Sequence, residues 1–156
     1  WNVQQLIRHQ ITVTGFALGM LQGDITIDLM DVSGDIPAEG AEKAFVAGAN
    51  RILDFLKSSD LSKVIETPFG PLPLGQVVLF PTLDITVHKW DLAKGTNQNT
   101  SIDSGLAQVC YAVAEAAAEG LRKNADDGQP SFGPEVTVPI SASTQDKLLA
   151  MSGRKP

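Results

Sequence analysis

Apolar side chains recur three and four residues apart from Val3 to Met20, at Val3, Leu6, Val13, Phe16 and Met20. That spacing places them on one face of an α-helix, and His9 falls in the middle of the stripe. Gly23 breaks the pattern. Asp24, Asp28, Asp31, Asp35, Glu39 and Glu42 follow with no Lys or Arg before Lys43, which reads as an exposed acidic connection with at most one helical turn. These aspartates lack the one-apart ligands and closing Glu of an EF-hand loop, so a calcium loop is not expected. Pro37-Ala-Glu39 supplies a helix start, with proline in the first turn and an acid against the positive end of the dipole. A second helix is predicted from there to about Lys57, with Ala41, Phe45, Ala49, Ile52, Leu53 and Leu56 as its apolar stripe and Ser58-Ser59-Asp60 as its end.

Val64 to Pro73 is too rich in proline for a helix or central strand and predicts an irregular hairpin or loop. A third helix begins around Leu74 and closes at Lys94-Gly95. Pro81 either kinks this helix or marks its true first turn, because proline removes one hydrogen bond and clashes with the preceding turn. Asp84 and His88 lie four residues apart, hence one above the other on a single face. A fourth helix should run from Asp103 to about Lys123 with Leu106, Val109, Cys110, Val113 and Ala117 inward. Beyond it, Gln129 to Pro134 reads as loop, Glu135 to Ile140 alternates like a short strand, and Ser143 to Met151 suits a short helix with Ser143 and Asp146 at its cap. The fold class is mainly all-α: a helical bundle over 1–123 with a small irregular C-terminal lobe over 124–156 containing a short strand and a helix.

The 156 residues, 43% hydrophobic and 19% charged, suit one domain with one core. Eighteen acidic residues against 12 basic give a net charge of −6, without the basic stripe that phosphate backbones require, so nucleic acid is not an expected partner. The uncharged stretch from Gln10 to Gly23 falls short of the roughly 18–20 apolar residues that span a bilayer. It also lacks the small-residue cleavage site of a signal peptide, so no membrane association is expected. A lone cysteine, Cys110, leaves no intramolecular disulfide and no multi-Cys metal site, which points to a reducing cytoplasm. Metal chemistry falls to histidine and carboxylate.

Both histidines of the chain lie on apolar helical faces, and one has a carboxylate one turn before it. A buried carboxylate is costly unless paired or metal-bound. Asp84 and His88 can offer two ligands from one helix, and His9 a third from another. Two histidines and one carboxylate with an open position match a catalytic zinc site in composition; imidazole with carboxylate also suits nickel, iron or manganese. The same spacing equally describes a hydrogen-bonded Asp–His pair, and periodicity does not place His9 opposite Asp84. No G-x-S-x-G elbow supports a serine hydrolase.

Trp1-Asn-Val-Gln-Gln-Leu-Ile-Arg-His9 resembles the W-x-V-x-x-L-x-x-H opening of the DinB/YfiT-like metal-binding superfamily, in its actinobacterial branch related to mycothiol-dependent maleylpyruvate isomerase. Thr67-Pro-Phe-Gly70 is similar to the T-x-F-G segment, and Asp84-Ile-Thr-Val-His88-Lys-Trp90-Asp91-Leu92-Ala93 to the E-x-x-x-H-x-W-D-L-A signature. Phe132-Gly-Pro134, Val136-Thr-Val-Pro139 and Leu148-Leu-Ala150-x-x-Gly153-Arg154-x-Pro156 resemble the C-terminal run. The resemblance implies a single DinB-like four-helix-bundle domain over 1–156, with His9, Asp84 and His88 at the three ligand positions of one divalent ion, Zn2+ first and Ni2+, Fe2+ or Mn2+ as alternatives. Asp84 stands where the family has Glu, and its shorter side chain must reach the ion from the same backbone position. Members of the family carry a further helix before the tryptophan; a bundle lacking it would favour a homodimer.

The resemblance further implies a mycothiol- or small-thiol-dependent transferase or isomerase acting on a small electrophile, since a cation stabilises the nucleophilic thiolate. The metal ligands would then be its only catalytic groups. Asp91 is a candidate to orient an imidazole from behind, and Arg154 a candidate to meet an anionic substrate group. The competing expectation is a metal-binding or structural helical bundle without catalysis, because fold and ligands do not by themselves fix a reaction.

Overall fold

Asn2 starts the first helix, α1 (Val3–Gln22), with a capping box: its side chain accepts from the Gln5 N–H at 2.9 Å, and the Gln5 side chain accepts from the Asn2 N–H at 2.9 Å. Two donors at the helix end are thereby satisfied reciprocally. The computed structural model describes residues 1–67, 70–123 and 131–156. Pro68 and Phe69 of the hairpin segment, and residues 124–130 with Gln129 and Pro130 of the expected loop, lie outside the described residues. The chain packs as two units, Trp1–Gln98 and Asn99–Pro156. It is mainly helical, with one small two-stranded sheet.

In the first unit α1 packs against α2 (Ala41–Lys57) and α4 (Leu79–Gly95). The second helix starts later than expected. Pro37 to Gly40 form a turn closed by a 2.8 Å bond from the Gly40 N–H to the Pro37 carbonyl. Gly40 has φ +96°, a conformation that does not continue into an α-helix and that non-glycine residues rarely adopt. Of the expected stripe on α2, Ile52 is buried and Leu53 is exposed. The predicted hairpin is present as β1 (Val64–Ile65) and β2 (Leu72–Pro73), antiparallel with Val64 opposite Pro73 and Ile65 opposite Leu72. One short turn, α3 (Leu74–Val77), precedes α4. Pro81 therefore sits in the first turn of α4, where its missing N–H costs nothing. The core of this unit joins Ala17, Leu18, Met20 and Leu21 of α1 to Ile52 of α2 and to Leu74 and Val77 of α3.

The second unit holds α5 (Ser104–Lys123) and α6 (Thr144–Met151), which pack on each other. The Asp103 carboxylate caps α5 by accepting from the Leu106 N–H at 2.9 Å, and the Ser143 hydroxyl caps α6 by accepting from the Asp146 N–H at 3.1 Å. The buried line on α5 is Ala107, Cys110, Ala114 and Ala118, one residue beyond the expected Leu106, Val113 and Ala117, while Val109 faces solvent. The larger side chains flank a seam of small ones, so size alone misplaces the seam by one position. The expected strand over Glu135 to Ile140 is not a strand. The Val136 N–H does bond to the Ala150 carbonyl at 3.0 Å, but no strand among the described residues pairs with the segment, and Ile140 is 95% exposed. Among the described residues, no helix is long and apolar enough to cross a membrane.

Candidate metal centre

The α1 face that carries Leu6, Val13 and Ala17 also carries His9, and the imidazole is buried with it, 2% exposed. On α4 the interior positions Leu83, Thr86, Val87 and Trp90 place Asp84 and His88 at the margin of the same interface. The packing of α1 on α4 brings His9 to Asp84: its Nε2 lies 3.2 Å from Asp84 Oδ1 and 3.4 Å from Oδ2. His88 Nε2 lies 3.8 Å from Oδ2 of the same carboxylate. One ligand atom from each of the three residues falls within 4.8 Å of the other two. The shorter side chain of aspartate therefore reaches both imidazoles.

The outer nitrogens fix the tautomers. His9 Nδ1 is 3.1 Å from the Leu29 carbonyl oxygen, and His88 Nδ1 is 2.8 Å from Asp91 Oδ2. A carbonyl and a carboxylate can only accept, so each Nδ1 carries a hydrogen, and in the neutral imidazole each Nε2 turns a lone pair inward. Two lone pairs and a carboxylate then converge on one point. The Gln10 amide, donating to Asp84 Oδ1 at 3.5 Å, is the single donor directed at them among the described residues. Acceptors facing one another repel, and the arrangement is relieved either by an extra proton on an imidazole or by a cation at the centre. Ligands held tetrahedrally at about 2.0–2.1 Å from zinc sit about 3.3 Å apart; His9 Nε2 stands at that separation from Asp84, at 3.2 Å, and His88 Nε2 somewhat wider, at 3.8 Å. The donor set and its spacing fit a divalent ion.

Trp1 lies over the two imidazoles, with ring centroids 4.5 Å from His9 and 5.7 Å from His88, while the imidazoles meet edge to face at 5.0 Å. The indole is 56% exposed, so one of its sides is against the cluster and the other faces solvent. Asp91 lies behind the His88 imidazole, in contact with its Nδ1. Arg154 belongs to the Asn99–Pro156 unit, where its Nη1 donates to the Ser152 carbonyl at 2.9 Å. The Leu29 carbonyl and the Gln10 amide were not anticipated: a backbone acceptor has no residue signature, and a glutamine within an amphipathic helix looks like any surface residue.

No family model and no solved structure matches the chain. The chain is 34% identical over 115 residues to an uncharacterized protein of Mycobacterium tuberculosis strain CDC 1551 / Oshkosh, and equally to one of strain H37Rv; each match covers 73% of this chain. It spans 60% of the length of these actinobacterial relatives.

Proposed function

We propose that His9, Asp84 and His88 hold one divalent metal ion, zinc in the first place, and that the chain is a DinB-like four-helix-bundle protein acting as a small-thiol-dependent transferase or isomerase in the cytoplasm, with mycothiol as the co-substrate. The observation that carries the metal assignment is the pair of outward Nδ1 contacts, to the Leu29 carbonyl and to Asp91, which leave both Nε2 lone pairs facing Asp84. A metal-ligating histidine characteristically donates its other N–H to a carbonyl or carboxylate in this way. Bound there, the ion would supply a cation that stabilises a thiolate next to an electrophile.

The chain's own residues have separate tasks. Leu29 and Asp91 hold the imidazole planes, Asp84 contributes the negative charge that favours a dication over a second proton, and Trp1 gives an apolar wall that excludes water from one side. Asp91 is a positioning residue, since its contact is with His88. Arg154 remains a candidate for an anionic substrate group on chemical grounds alone.

Metal analysis after reconstitution tests the site, with an expected one equivalent in the wild type and none in His88→Ala. Thiol binding tests the activity: mycothiol should bind the zinc-loaded wild type and not the metal-free protein. Metal retained without metal-dependent thiol binding would leave a metal-binding bundle without catalysis, the second reading that the same geometry supports.

A further inference from the structure

Behind the ligand face of α1, within the first unit, a cleft of about 550 Å³ opens between α1, the acidic segment and α2, within the usual size range of small-molecule pockets. Two of the chain's arginines, Arg8 and Arg51, line it. Arg8 Nε is buried with no hydrogen-bond partner, and no ion pair joins either arginine to a carboxylate among the described residues. A buried guanidinium nitrogen left unpaired costs stability unless a ligand oxygen completes it.

The same cleft carries Asp28, Asp31 and Glu39. The first two are oriented by their own turns: Asp28 Oδ1 accepts from the Met30 N–H at 2.9 Å, and Asp31 Oδ1 from the Ser33 N–H at 2.9 Å and its hydroxyl at 2.5 Å. Leu29, between them, is pinned to α1 through His9, so the acidic wall is held by its own turns and by α1, and Arg8 acts on the Asp31 carboxylate through space rather than by an ion pair. Ile11, Ile27 and Ala47 give the cleft apolar surface. A cleft that carries both signs of charge on groups not joined in ion pairs, beside apolar surface, complements a molecule that is itself split in charge.

We propose that this cleft is a second ligand site, which takes a small zwitterionic amino acid or amino-acid-like group, its carboxylate on Arg8 and Arg51 and its ammonium toward the acidic wall. Guanidinium forks suit a carboxylate in two-point contact, and the acidic wall disfavours a purely anionic ligand of the same shape.

Titration calorimetry with three isosteric probes tests it: L-leucine, 4-methylpentanoate, which lacks the ammonium, and isoamylamine, which lacks the carboxylate. L-Leucine is expected to bind with a dissociation constant of about 1 mM or tighter, the acid more weakly, and the amine weakest. Arg51→Ala is an exposed change that leaves the helix intact, and should weaken L-leucine roughly tenfold or more, with Arg8→Gln acting in the same direction. His88→Ala should leave L-leucine binding intact, which separates this site from the metal centre. Absence of L-leucine saturation by about 10 mM, unchanged binding in Arg51→Ala, or isoamylamine binding as tightly as L-leucine would each overturn the proposal.

Discussion

The interior of the first unit and that of the second are built from different materials. Where α1 meets α4, His9, Gln10 and Thr86 are buried beside Val13, Leu83 and Val87. Where α5 meets α6, the buried line is Ala107, Cys110, Ala114 and Ala118 against Leu148, Leu149 and Ala150. The second interface is accounted for mainly by packing, since small residues let two helices approach and leucines fill the space, with one bond from Arg122 Nη2 to the Met151 carbonyl at 2.8 Å. The first is not. A histidine cluster placed in a core gives up hydration that valine or leucine would not have needed, and the proposed ion would recover it.

The sharpest way to separate the two interiors is to damage each and read both properties. Leu149 is fully buried, and Leu149→Ala should cost about 2–5 kcal/mol of stability while the folded protein keeps its metal equivalent; denaturant unfolding and metal analysis on one preparation check this. Loss of metal from the folded variant would break the comparison. Gly153 belongs to the same region: its φ is +86°, and a Cβ there would stand 2.7 Å from the Gly133 Cα. Gly153→Ala should therefore destabilise the second unit by roughly 1–3 kcal/mol through backbone strain, without touching the metal centre.

Asp91→Asn works in the opposite direction. The amide keeps the size of the side chain but weakens the acceptor for His88 Nδ1, so metal affinity should fall by about 10–100-fold with little change in the denaturation midpoint of the metal-free protein. Competition with a chromophoric chelator measures it. If stability and affinity fall together, Asp91 is a structural anchor and its orienting role is lost.

Caps give smaller and more symmetrical effects. Asn2→Ala in the first unit and Ser143→Ala in the second should each cost about 1 kcal/mol, and thermal unfolding of the two variants should show similar losses. Smaller still are the exposed carboxylates. Hydrogen bonds from Ser33 hold Asp31 below the usual carboxylate range, and the Lys123 ammonium does the same for Glu119. A group whose folded pKa is depressed adds stability above its unfolded pKa and loses it as pH falls through the folded one. Ser33→Ala and Lys123→Ala should thus raise the respective midpoints in a carbon-13 carboxyl titration.

How much of this the amino-acid pattern announces depends on what carries the information. Side-chain periodicity locates α1, α4, α5 and α6, and the four-residue interval locates Asp84 under His88. The interval from His88 to Asp91 places a carboxylate within reach of one imidazole, and the structure makes that contact. Backbone events are not announced: the turn at Gly40 that delays α2, the lack of a partner strand for Glu135 to Ile140 among the described residues, and the Leu29 carbonyl that faces His9 Nδ1 all depend on where the main chain travels. The α5 seam shows a further limit, because alanine is both a core residue and a surface helix former, and hydrophobic size favours its larger neighbours.

The central claim is that both Nε2 atoms face inward, bare, to receive one cation. Nitrogen-15 resonances of the two imidazoles, recorded as zinc is added, test this most directly. The account predicts that both Nδ1 atoms stay protonated throughout while both Nε2 resonances move together to metal-coordinated positions and saturate at one equivalent. A protonated His9 Nε2 that persists unchanged through the titration would contradict it, leaving His9 and Asp84 as a buried ion pair.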